Sequence, residues 1–264
     1  MDNLPESIAG EEKSKKVPWN GVMGVIYALV MFFVIQIVIG LALMLIPLAQ
    51  GHNAKDSAAW LNSSISHQFL YVLIVETLTV LSVFVFMKMW KAKYELIGLR
   101  RIKLTDLMWG IFAYIGYFLV YILVVVLVGL VFPKLNINTK QDVGFKDPLG
   151  ALSMTMTFIG LVVLPPIAEE ILVRGFIYSS LRKFSPKLTA AILASLLFCA
   201  AHLPEGVGGL LWIGFIDTFV LSMVLIYVRE KTGGIYAGMV SHFIKNSLAF
   251  VSLYVAGAAL LFIR

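Results

Sequence analysis

Three short blocks in the second half of the sequence hold side chains able to move protons or to stabilise negative charge. They are Glu169-Glu170-x-x-x-Arg174, Phe198-x-x-x-His202 and His242-x-x-x-Asn246. At ~100° per residue on a helix, Arg174 falls on nearly the same face as Glu170 and well round from Glu169. Glu170 and Arg174 are therefore expected to pair, which leaves Glu169 to act on a proton as a general base for water. In the other two blocks the members are also one turn apart, so Phe198 shares a face with His202 and His242 with Asn246. Read conservatively, Glu169, Glu170 and Arg174 form a buried structural network and each histidine is a packing hydrogen-bonder.

The elements that carry these blocks are apolar. The 264 residues are 60% hydrophobic and 14% charged, with a mean hydropathy of +0.91, outside the ranges of soluble domains. Seven runs approach or exceed the length needed to cross hydrocarbon: 21–49, 67–90, 107–131, 150–181, 188–203, 209–228 and from 233 onward. The last is long enough to tilt, to break near Ser247, or to contain an eighth short segment. The fold class is thus all-α, a polytopic transmembrane helix bundle of about 7 to 8 spans. We divide it into a cytoplasmic tail at 1–18, N-terminal transmembrane helices at 19–149 and a catalytic core at 150–264. The first run is too long for the apolar region of a cleavable signal peptide, so the tail is expected to stay attached.

Of 21 lysines and arginines, Lys88, Lys91, Lys93, Arg100, Arg101 and Lys103 cluster in one loop, and further groups lie before the first run and after the fourth and sixth. All of these fall on one side of the bundle. The excess places that side and the N-terminus in the cytoplasm, with the chain in the cell membrane. The net charge of +6 resides in such loops, which argues for topology and against a nucleic-acid site. Cys199 is the sole cysteine, so no internal disulfide can form.

Ionisable groups inside apolar runs are expensive unless paired or facing water, which makes each a candidate for function. Measured from the expected cytoplasmic helix ends, Glu169 lies about 18 Å deep, His202 about 21 Å, His242 about 14 Å and Asn246 about 20 Å. Three runs far apart in sequence therefore bring their polar groups to one layer, as expected of a shared water-filled cavity. Asp217 and Lys245 reach a similar depth and are expected to form a structural pair, with Lys245 at least ~60° round the helix from His242 and Asn246 and not required in the cavity. Glu76 reads as a helix-packing or cavity-facing carboxylate.

In this order on successive helices, the three blocks resemble the CPBP family of intramembrane endopeptidases, which contains CAAX prenyl endopeptidases and proteins tied to bacteriocin processing or self-immunity. The resemblance covers about 150–247, and the stretch Tyr94-Glu95-Leu96-Ile97-Gly98-Leu99-Arg100-Arg101 is similar to a basic loop often found upstream in the family. It implies an enzyme that hydrolyses a peptide bond in a membrane-associated peptide or membrane protein. Glu169 would activate water with help from His202, His242 and Asn246 would stabilise the oxyanion, and Glu170, Arg174 and Phe198 would support them. The resemblance implies no cofactor. Two histidines and a glutamate can also form an open zinc site, and Glu169, His202 and His242 are the set that would do so. The alternatives to an enzyme are a catalytically silent membrane regulator or self-immunity protein, and a small-solute transporter, which the concentration of polar groups in one half disfavours.

Overall fold

The computed structural model describes residues 17–135, 141–203 and 210–256. Among these, eight helices follow one another: α1 Gly21–Ala49, α2 Ala54–Trp60, α3 Ile65–Met89, α4 Leu104–Val131, α5 Ala151–Leu181, α6 Lys187–His202, α7 Trp212–Thr232 and α8 Tyr236–Phe250. The chain is a multi-pass membrane protein with an all-helical bundle. Helices α1, α3, α4, α5 and α7 are each long and apolar enough to cross a membrane. The fifth and seventh apolar runs form shorter helices, α6 of 16 residues and α8 of 15. Beyond Phe250 the last run continues as a π turn over Val251–Ala256, so its change of winding comes just past the expected break near Ser247. Its final residues lie outside the described set.

The helices divide by what surrounds them. The most apolar stretches of α1 and α4 are only 11% buried in protein, whereas that of α7 is 39% buried. A helix that is apolar all round and barely covered by protein takes lipid as its solvent, so α1 and α4 form the outer wall. Helix α4 packs on α7 and α8, α6 on α7, and α3 on the middle of α5, which places α5 and α7 inside. At the Leu181 end of α5, Trp19 is fully buried, stacks on Phe176 at 5.1 Å and donates its indole N–H to Ser180 Oγ at 2.9 Å. Val17, within the expected tail, already packs in this core, while residues 1–16 lie outside the described set.

The basic loop between α3 and α4 is an anchor. Gly98 adopts φ +82°, and a Cβ there would meet Ile235 at 3.1 Å, so glycine lets the loop pass the start of α8 without strain. Arg100 then grips Asp106 through both carboxylate oxygens at 2.6 and 2.9 Å and donates to the Thr232 carbonyl at 2.8 Å. The start of α4 is thereby tied to the α7–α8 turn, which fixes the wall behind the polar layer.

Candidate active site

Helix α5 is one continuous element of alternating winding. It is α-helical over Ala151–Phe158, π over Ile159–Val163, α over Leu164–Glu169, π over Glu170–Ile177 and α again over Tyr178–Leu181. Pro165 and Pro166 stand in the first turn of the middle α segment, where a missing N–H is tolerated. The double proline has a second effect. The Leu161 carbonyl would bond residue 165 in α winding and residue 166 in π winding, and neither carries a hydrogen. Asn246 supplies the missing donor from α8, its Nδ2 lying 3.0 Å from Leu161 O. The bond fixes the amide and leaves its second N–H to the site.

The π segment after Glu169 carries the expected ion pair. Arg174 Nη1 lies 2.9 Å from Glu170 Oε1, both side chains are fully buried, and the guanidinium sits 4.2 Å from the Phe198 ring centroid. Phe198 is therefore the apolar lid of this pair. Glu170 also meets His242, whose Nδ1 lies 3.2 Å from Glu170 Oε1. An ionised carboxylate only accepts, so Nδ1 carries the hydrogen and Nε2 faces the other way, 3.7 Å from Glu169 Oε2. His242 thus stands between the two glutamates. The close approach depends on Gly238, one turn before His242, because a Cβ at that position would lie 2.8 Å from Glu170 Oε2.

His202 is set by its own helix. Its Nδ1 lies 2.9 Å from the Phe198 carbonyl, which also only accepts, so Nε2 of the neutral ring holds a lone pair. Glu169 side-chain exposure is 22%, and its buried Oε2 has no hydrogen-bond partner.

A cavity of about 280 Å³ joins these groups: Glu169, His202, His242 and Asn246 all line it. Glu170 and Arg174 are packed behind the wall. Asp217 and Lys245 pair at 2.8 Å, as their depths suggested, but both line the cavity, and Tyr117 donates to the second oxygen of Asp217. The angular offset of Lys245 leaves it in the cavity because the space extends across to α7. Glu76 on α3 is within electrostatic reach of Glu169 and is not among the lining residues. The segment before α5 adds Asp142 at the rim, a residue the motif spacing gave no reason to select. Gly238 was equally unmarked, although its place four residues before His242 puts it on the same face. Among the described residues no three His, Cys, Asp or Glu side chains form a group that could hold a metal ion, so Glu169, His202 and His242 do not fit a zinc centre in this arrangement.

Residues 151–248 match the family model of the type II CAAX prenyl endopeptidases, Rce1-like. The Rce1-like segment spans α5, α6, α7 and most of α8, the four helices that carry Glu169, His202, Asp217, His242, Lys245 and Asn246. The class of activity attached to it is peptide hydrolysis within a membrane. No curated protein and no solved structure matches the chain.

Proposed function

We propose that the cavity is the active site of an intramembrane glutamic endopeptidase of the cell membrane, N-terminus in the cytoplasm, acting on a membrane-associated peptide or membrane protein. The observation that carries this reading is the convergence of Glu169, His202, His242 and Asn246, all within the Rce1-like segment, on one cavity. Glu169 takes a proton from water as the oxygen adds to the scissile carbonyl carbon. The Nε2 lone pair of His202 accepts the water's other hydrogen and turns the oxygen toward that carbon. The free N–H of Asn246 meets the oxyanion. His242 joins it as the imidazolium, with Nδ1–H held by Glu170 and Nε2–H given to the oxygen. Collapse of the intermediate breaks the C–N bond, and Glu169 returns its proton to the leaving amine.

The test compares peptide termini, by mass spectrometry, in membranes of cells producing the wild type or Glu169→Gln at equal abundance. The amide is isosteric and replaces a group without hydrogen bonds, so insertion is unaffected, while loss of the base lowers cleavage about 10²- to 10⁴-fold. Identical termini in both membranes would remove the peptidase reading and favour a silent regulator.

A further inference from the structure

We infer that residues 141–145 form a lid on the cavity and that Phe145, which latches it, is a positioning residue for the Asn246 amide; the use of that amide in catalysis rests on the peptidase reading above. Gln141, Asp142 and Val143 all line the cavity, so the segment is part of its wall. Residues 142–150 form neither helix nor strand, and Phe145, with 2% of its surface exposed, is the one buried residue of 141–150. A stretch with exposed backbone and a single apolar anchor belongs to the least stable part of a fold, and it opens when the anchor leaves.

The latch is specific. Phe145 adopts φ +48°, a left-handed conformation that a bulky side chain rarely takes, and such strain persists where the surroundings hold it. Its backbone N–H donates to Gln68 Oε1 on α3, and the Tyr254 hydroxyl, in the π turn after α8, donates to the Gly144 carbonyl at 3.4 Å. The ring seats on α5, where a Cβ at Gly160 would lie 2.9 Å from its Cζ and 3.5 and 3.6 Å from two further ring atoms. The missing side chain of Gly160 therefore makes the seat. Gly160 belongs to the π turn Ile159–Val163, and the next residue, Leu161, gives its carbonyl to Asn246 Nδ2. The peptide plane between the two is rigid, so Gly160 cannot shift without moving the Leu161 Cα that carries this carbonyl. With Phe145 seated, the π turn is held and Asn246 has a fixed acceptor. With Phe145 withdrawn, the cavity wall and the amide are released together. Substrate thus enters while the oxyanion donor is slack and meets an ordered site once the lid is down.

The test uses the full-length protein in phosphatidylcholine vesicles and two readouts. Hydrogen–deuterium exchange, by mass spectrometry, follows the backbone of 141–150, with α4 as the reference for global opening. Gly160→Ala, whose methyl displaces the ring, should speed exchange of 141–150 about tenfold. Gly160→Ala/Phe145→Leu, which lacks the ring atoms that the methyl meets, should restore most of the protection. Asn246→Ala should also speed exchange there, since a coupling between two sites acts equally in both directions. Unchanged exchange of 141–150 in Asn246→Ala, or a rise matched in α4, would overturn the inference whether or not the protein is a peptidase. Cleavage is read with a set of blocked apolar peptides of about 20 residues, the fastest of which serves as substrate. Gly160→Ala should lower kcat about 10- to 100-fold with little change in KM, less than outright loss of an oxyanion donor, and the leucine double variant should recover it. A merely structural loss would carry over into an Asn246→Ala background, whereas a loss acting through that amide should vanish there. An equal drop in kcat in both backgrounds would overturn the positioning role. Cleavage no greater in the wild type than in Glu169→Gln would instead remove the peptidase reading, and with it the catalytic use of the amide, while exchange still decides the lid.

Discussion

Replacing Arg174 by methionine leaves the fully buried Glu170 carboxylate without its counter-ion, and the consequence can be worked from the geometry. At 2.9 Å and an effective dielectric of about 20, the attraction between the two charges is about 6 kcal/mol. Burying both groups costs several kcal/mol each, so the intact pair contributes little net stability and each single loss is severe. Arg174→Met is expected to destabilise the protein by about 3–5 kcal/mol, part of it the lost contact with Phe198. Glu170→Gln, which strands the guanidinium, should cost about as much. The double variant Glu170→Gln/Arg174→Met buries no unpaired charge and should return to within about 1–2 kcal/mol of the wild type. Unfolding of the four proteins in mixed micelles of rising dodecyl sulfate fraction measures the cycle. Peptidase activity should stay low in the double variant, because an amide at that position gives the His242 imidazolium no anionic partner. A double variant as unstable as the worse single one would refute the reasoning, since it would mean that the two buried charges are not coupled.

The double proline gives a crossed pair of expectations. Asn246→Ala should cost about 1–3 kcal/mol by orphaning the Leu161 carbonyl, and adding Pro165→Ala, which restores an N–H at 165, should recover that stability but not activity. Pro165→Ala alone should keep or raise the unfolding midpoint yet lower turnover, because Leu161 no longer fixes the Asn246 amide; unchanged turnover would count against that role. Gly238→Ala should cost about 1–3 kcal/mol and reduce activity, since the new methyl must displace Glu170 Oε2 and with it the His242 ring. Wild-type activity in this variant would show that the close approach of α8 to Glu170 is not needed.

Much of the architecture could be read from the chain because lipid imposes a length on apolar runs. The first run matches α1 at both ends, and the third and fourth differ from α4 and α5 by a few residues at their starts. The Glu170–Arg174 pair and the Asp217–Lys245 pair followed from helical spacing and from depth, quantities that each run carries within itself. The common layer of Glu169, His202, His242 and Asn246 followed in the same way, since rise per residue fixes depth once helix ends are known.

Lateral position is another matter. Spacing along α5 assigned Glu170 to Arg174 alone, whereas packing gives the same carboxylate oxygen to His242 as well and so orients that ring. Spacing along α8 did not require Lys245 in the cavity, yet the cavity reaches across to α7 and includes it. The sequence by itself determined the apolar helical character of the runs, their approximate bounds, and the missing hydrogens at Pro165 and Pro166, because these are properties of a single segment and its solvent, whereas the short α2 at Ala54–Trp60 lay outside every apolar run. Tertiary structure alone decided which carboxylates His242 meets and which donor completes the Leu161 carbonyl. Those depend on how closely α8 approaches α5, a distance set by the absent side chain of Gly238 and by π winding that no periodicity in the chain announces.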